Sequence, residues 1–139
     1  SDISRKERRN APMRKIVVDM QNFLFADSVA TAFRNSDYEI DVVRTESPTD
    51  TVKMCKLYKP FALIMEVTSS TPWKFYERMK IRDEVKMACP ECKIAFIVDS
   101  NTEKQAAKDI RDAKKNGLID QFFYGSMTAE YLMDQIYAM

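Results

Sequence analysis

The stretch FALIMEV, residues 61–67, decides how this chain reads. Pro60 opens it and Thr68-Ser69-Ser70-Thr71-Pro72 closes it. A short apolar run between such turn signals describes a strand buried on both faces, as in a parallel sheet. Its one acidic residue, Glu66, falls at the carboxyl end. In open α/β sheets that edge is where loops converge and ligands gather. A carboxylate there is a candidate functional group, set against the plainer reading of a strand returning to solvent.

Outward from this run, strand and helix alternate five times. KIVVD, residues 15–19, reads as a first strand, and Phe23, Phe25, Val29, Ala30 and Phe33 recur at helical spacing as a buried stripe. Tyr38 to Val43 alternates like a half-exposed strand. Ser47 as N-cap and Pro48 at the first helical position open a second helix with Val52, Cys55 and Leu57 as its apolar residues. Trp73 to Ala88 predicts a third helix, in which Lys74, Arg78, Lys80, Arg82 and Lys86 interleave with Glu77, Asp83 and Glu84 as a solvated, salt-bridged face. Lys93 to Val98 is a buried strand ending in Asp99, and Ser100-Asn101-Thr102 offers an N-cap cluster for a helix over 103–115. Asn116-Gly117 stops that helix, Leu118 to Tyr124 makes a fifth strand, and Thr128 leads into a last helix with Leu132, Ile136 and Met139 on one face. Right-handed crossovers then imply a three-layer, flavodoxin-like α/β fold: a doubly wound parallel sheet in the order 2-1-3-4-5.

The totals fit one domain over residues 14–139, preceded by a basic arm over 1–13 that carries Arg5, Lys6, Arg8 and Arg9. Such an arm can touch phosphates or acidic partners, though a solvated tail is the commoner case. A net charge of +1 argues against a nucleic-acid-coating role, and direct nucleic-acid binding is not expected. With no apolar run of roughly 20 residues and no signal-peptide pattern at its start, the chain is expected to be cytoplasmic and free of the membrane. Cys55, Cys89 and Cys92 make an odd count that suits a reducing compartment. Cys89-Pro90-Glu91-Cys92 has redox or zinc spacing, but a zinc site needs a second ligand pair, so an ordinary loop with incidental cysteines is expected. The sequence contains no histidine, which excludes Ser-His and Cys-His triads.

In the order 2-1-3-4-5, strands 1, 3 and 4 are neighbours, so Asp19, Glu66 and Asp99 are expected together at one edge as an acidic pocket. This arrangement resembles the receiver (CheY-like) domain of bacterial response regulators. The features that carry the likeness are five βα units over about residues 14–138, an acid ending strand one in KIVVDM, an acid ending strand three in FALIMEV, and the helix-stop glycine in NGLIDQFFYGS.

The resemblance implies a two-component phosphorelay protein, a histidine kinase as donor, and Glu66 at the phosphoacceptor position. It also implies that Asp19 is the first of two metal-holding acids, and that Asp99, Phe122 and Tyr124 occupy the positions that switch on activation. The departures are Met20 for the second acid, Glu66 for an aspartate, Asp99 for a Ser or Thr, and Tyr124-Gly125 for Lys-Pro. A glutamate shifts the nucleophilic oxygen by roughly 1.5 Å from in-line geometry. Tyr124 lacks the charge that would neutralise a phosphoryl oxygen. A pseudo-receiver is therefore expected, not an enzyme and without catalytic residues. It would act on an output partner, or as a homodimer, through its fourth helix, fifth strand and fifth helix, where Phe122, Phe123, Tyr131, Met133 and Tyr137 lie. The alternatives are a divalent cation such as Mg²⁺ held by Asp19, Glu66 and Asp99, or a Glu66 that still accepts a phosphoryl group. A flavodoxin-like nucleotide-binding protein or enzyme is less favoured, since Met20-Gln21-Asn22-Phe23 makes no phosphate cradle and the chain has only two glycines.

Overall fold

A computed structural model describes residues 13–45 and 47–139; Arg5, Lys6, Arg8 and Arg9 of the expected arm lie outside the described residues. The strands are β1 (Arg14–Asp19), β2 (Ile40–Arg44), β3 (Ala62–Val67), β4 (Lys93–Val98) and β5 (Gln121–Tyr124). They alternate with α1 (Phe23–Arg34), α2 (Pro48–Tyr58), α3 (Phe75–Ala88), α4 (Lys104–Lys115) and α5 (Ala129–Tyr137). All strand pairs are parallel, and the order is β2-β1-β3-β4-β5, as expected from the alternation.

Period-two alternation within each strand divides the apolar residues between two cores. Ile16, Val18, Ala62, Ile64, Ala95 and Ile97 face one way, against Ala26, Val29 and Phe33 of α1 and Leu132 and Ile136 of α5. Val17, Leu63, Met65, Ile94, Phe96 and Val98 face the other way, against Cys55 of α2, Val85 of α3 and Ala107, Ile110 and Ala113 of α4. Asp19 and Met20, adjacent in the chain, therefore belong to opposite faces, and this decides the geometry of the site.

The helix boundaries follow local chemistry. The Ser47 hydroxyl accepts the Thr49 amide at 3.3 Å with Pro48 at the first position, as the sequence predicts. Thr128 Oγ1 accepts the Tyr131 amide at 3.1 Å, and Gly117 takes the left-handed φ of 74° that ends α4. Ser100-Asn101-Thr102 does not cap α4: the cap position is Glu103, and it makes no side-chain cap bond.

Two stripe assignments also change. Phe23 lies in the first turn of α1 and is exposed, and Leu57 is exposed on α2. At 100° per residue Leu57 stands about 200° from Cys55, whose inward neighbour one turn earlier is Thr51. The third helix departs most from expectation: Arg78, read as part of a solvated face, is fully buried. α3 turns Arg78 and Val85, seven residues apart, toward the sheet.

Candidate functional site

The carboxyl ends of the strands hold two separate arrangements of acids. On the α1/α5 face, Glu66 and Asp99 share a cleft of about 120 Å³ lined also by Met20, Asn22, Phe25, Ile97, Val98 and Gly125. The backbone N–H of Asn22 donates to Glu66 Oε1 at 3.0 Å. Asn22 Oδ1 in turn accepts the Phe25 amide at 3.1 Å, so the residue that caps α1 also holds the glutamate. Asp99 is exposed, and its Oδ1 accepts the amides of Asn101 at 2.9 Å and Thr102 at 3.4 Å. Its carboxylate shapes the turn into α4, which is why the polar cluster after it does no capping.

On the α2/α3 face, Asp19 is buried, and all its polar atoms are engaged. Arg78 Nη1 donates to Asp19 Oδ2 at 2.7 Å, and Nη2 donates to Oδ1 at 3.2 Å and to the Asp19 carbonyl at 3.1 Å. Arg78 Nε donates to the main-chain carbonyl of Glu66 at 2.7 Å. From α2 the Thr51 hydroxyl donates to Asp19 Oδ2 at 2.5 Å, and Thr45, at the end of β2, sits 3.2 Å from Thr51 Oγ1. Arg78, Thr51 and Thr45 are all buried. A forked guanidinium presents five N–H donors in one plane, which suits a carboxylate and two carbonyls at once.

The expected trio of Asp19, Glu66 and Asp99 is therefore not assembled. Glu66 and Asp99 meet, but Asp19 points through the opposite face into an ion pair. The reason is parity: Asp19 pairs in register with Met65, not with Glu66, and neighbouring residues on paired strands share a side. Met20, on the Glu66 side, brings a thioether, so the α1/α5 cleft has two carboxylates and no third. Among the described residues no group of three or more His, Cys, Asp or Glu side chains is placed to hold a metal ion. The residues do not fit the Mg²⁺ site that the resemblance implies.

The residues that the resemblance implies as switch positions sit in different surroundings. Phe122 is half-buried against the α3/α4 core. Tyr124 reaches the surface, with its ring edge-on to Phe122 at 5.7 Å between centroids. Phe123 and Met133, expected at a partner face, belong to the α1/α5 core instead, and Tyr137 stacks on Tyr38 at 3.9 Å. All three cysteines are buried, free thiols in the α2/α3/α4 core. Burial pushes the Cys55 thiol up to about 12, and burial likewise raises Cys92. Neither is a ready nucleophile or metal ligand, since both functions need the thiolate.

Arg78, Thr51 and Thr45 were not singled out from sequence. The available signal was positional. Arg78 precedes Val85 by two helical turns on an apolar stripe, and Thr51 precedes Cys55 by one.

No protein-family model matches the chain, and no curated protein does. Solved structures do. A CheY-like response regulator receiver domain protein from Methanospirillum hungatei aligns with a TM-score of 0.72 at 10% identity, over 91% of this chain and 93% of that one. The inactive form of the regulatory domain from the repressor of iron transport regulator, RitR, gives a TM-score of 0.72 at 10% identity, over 90% and 93%. The response regulator TrrA from Thermotoga maritima, in complex with Mg²⁺ and BeF, gives 0.67 at 11% identity, over 91% and 98%. The chain has the fold of CheY-like receiver domains along nearly its whole described length. No helix among the described residues is long and apolar enough to cross a membrane.

Proposed function

We propose that this chain is a receiver-type module of two-component signalling that works through protein contacts and does not run an aspartyl-phosphate cycle. The observation that carries the reading is the composition of the α1/α5 cleft. The side chain at the acceptor position is a glutamate whose Oε1 already accepts the Asn22 amide at 3.0 Å. Its neighbours are Met20 and the carboxylate of Asp99, with Gly125 after Tyr124. An arriving phosphoryl group would meet negative charge from Asp99 and no fixed cation from Tyr124. Electrostatic stabilisation of transferred charge is usually the largest catalytic contribution.

The partner surface in this reading is the face made by α4, β5 and α5, serving an output domain, a kinase or a second copy. Exposed Tyr124 and Tyr131 supply aromatic contacts there. Lys104, Lys108, Arg111 and Lys115 are exposed and spaced as one stripe on α4.

Intact-mass spectrometry after incubation with a small acyl phosphate and Mg²⁺ tests the reading, with Glu66→Gln in parallel. The expected result is no added mass in either protein. Gain of one phosphoryl group by the parent and none by Glu66→Gln would establish Glu66 as a working acceptor and overturn it.

A further inference from the structure

The strand ends carry a cation already, and it is part of the chain. Four oxygens converge on the Arg78 guanidinium: both carboxylate oxygens of Asp19, the Asp19 carbonyl and the Glu66 carbonyl, at 2.7 to 3.2 Å from its nitrogens. Carboxylate and carbonyl oxygens drawn from the ends of two adjacent strands are the donor set of a hard divalent cation. Here the positive charge comes from α3, fully buried, and no buried side-chain nitrogen or oxygen among the described residues lacks a partner.

We propose that Arg78 is the resident cation of this edge: its guanidinium fills an oxygen cage that, once emptied, takes a divalent metal ion. Three observations support this. The guanidinium and the Thr51 hydroxyl, which donates to Oδ2 at 2.5 Å, take three of the roughly four lone-pair positions of the Asp19 carboxylate, and the guanidinium charge neutralises it, so an incoming cation gains little there. The cage is tied to the backbone of both β1 and β3, so the charge fixes the spacing of the two strand ends and seats α3 against them. Truncating Arg78 leaves an uncompensated carboxylate beside two carbonyls in a cavity too polar to stay dry. Water and a metal ion are what such a cavity accepts. This inference does not depend on Glu66 chemistry, because Glu66 contributes only its main-chain oxygen.

The chain provides its own probe. Trp73 is its one tryptophan and lies in the loop between β3 and α3, five residues ahead of Arg78, with its carbonyl accepting the Thr68 amide at 3.0 Å. Paramagnetic Mn²⁺ bound in the cage is expected to quench this fluorophore, whereas Mg²⁺ should compete without quenching, and Mn²⁺ electron paramagnetic resonance reads the bound fraction independently of the tryptophan. The full chain and Arg78→Ala are titrated with MnCl₂, with the Asp19→Asn/Arg78→Ala double variant as the control.

The expected outcome is no saturable quenching of the parent. Arg78→Ala should quench saturably in roughly the millimolar range, as for weakly charged oxygen sites, with the effect reversed by Mg²⁺ and absent from the double variant. Saturable quenching of the parent that persists in Glu66→Gln and is lost in Asp19→Asn overturns the proposal, since the cage would then be open. So does a folded Arg78→Ala that binds no metal. If Arg78→Ala does not fold alone, refolding followed by circular dichroism in millimolar methylguanidinium or MgCl₂ replaces the titration: recovery with either cation supports the cage, and recovery with neither overturns it.

Discussion

Asp19 and Glu66 end neighbouring strands at the same edge of one sheet, yet they sit in opposite circumstances. Asp19 is buried on the α2/α3 face with a guanidinium and a hydroxyl on its carboxylate. Glu66 is half-exposed on the α1/α5 face with one backbone amide and a second acid, Asp99, across a small cleft. Chain position alone would treat them alike. The difference comes from the strand pleat, which sends consecutive side chains to opposite layers, and from which helices supply a partner. α3 brings Arg78 to one side, whereas the other side receives only the main chain of the α1 cap. One edge thus combines a locked structural site with an open cleft that holds two carboxylates.

The same substitution, acid to amide, should separate the two most sharply. Asp19→Asn leaves the Arg78 charge buried and faces it with an amide group, so a loss of about 3–5 kcal/mol is expected from urea unfolding, the usual cost of breaking a buried pair from one side. Removing both charged groups in Asp19→Leu/Arg78→Met should recover part of that loss, because well-packed apolar replacements of a buried ion pair are often neutral. A double variant no better than the single would mean that the pair contributes through contacts other than its charge.

Next in size is Thr51→Val. It keeps the shape of a side chain that is fully buried and deletes the hydroxyl that donates to Asp19. A hydrogen bond to a charged group contributes about 1.5–3 kcal/mol, and the loss should fall in that range. Thr51→Ser, which keeps the donor, should retain more stability than Thr51→Val. If the two fall equally, packing and not the hydroxyl holds the site.

How much of this was legible in the sequence follows the same division. The alternation of five strands and helices, the order of the sheet and the helix ends at Ser47, Thr128 and Gly117 were readable, because period-two and period-3.6 patterns and capping residues act locally. The site was half readable. That acids end β1, β3 and β4 is visible, but which face each takes depends on register, and register is a property of pairs of strands. Arg78 was hidden by its surroundings: in a helix rich in Lys, Arg and Glu, one arginine on the inward stripe looks like its solvated neighbours until a partner 59 residues away is placed against it. The expected stripe failed at Leu57, where composition suggested burial and helical phase placed the residue outside.

The smallest effect belongs to Glu66→Gln. The amide oxygen of glutamine accepts the Asn22 N–H as the carboxylate does, so the α1 cap keeps its partner. The Arg78 bond to residue 66 goes to the main-chain carbonyl and does not sense the side chain. Removing one of two facing charges from the cleft relieves repulsion with Asp99, which offsets the weaker acceptor. The urea midpoint should therefore move by no more than the equivalent of about 0.5 kcal/mol, the range of substitutions that disturb no buried feature. A loss as large as that of Asp19→Asn would show that the Glu66 carboxylate is a structural charge like its neighbour, and the division of this edge into a locked half and an open half would no longer hold.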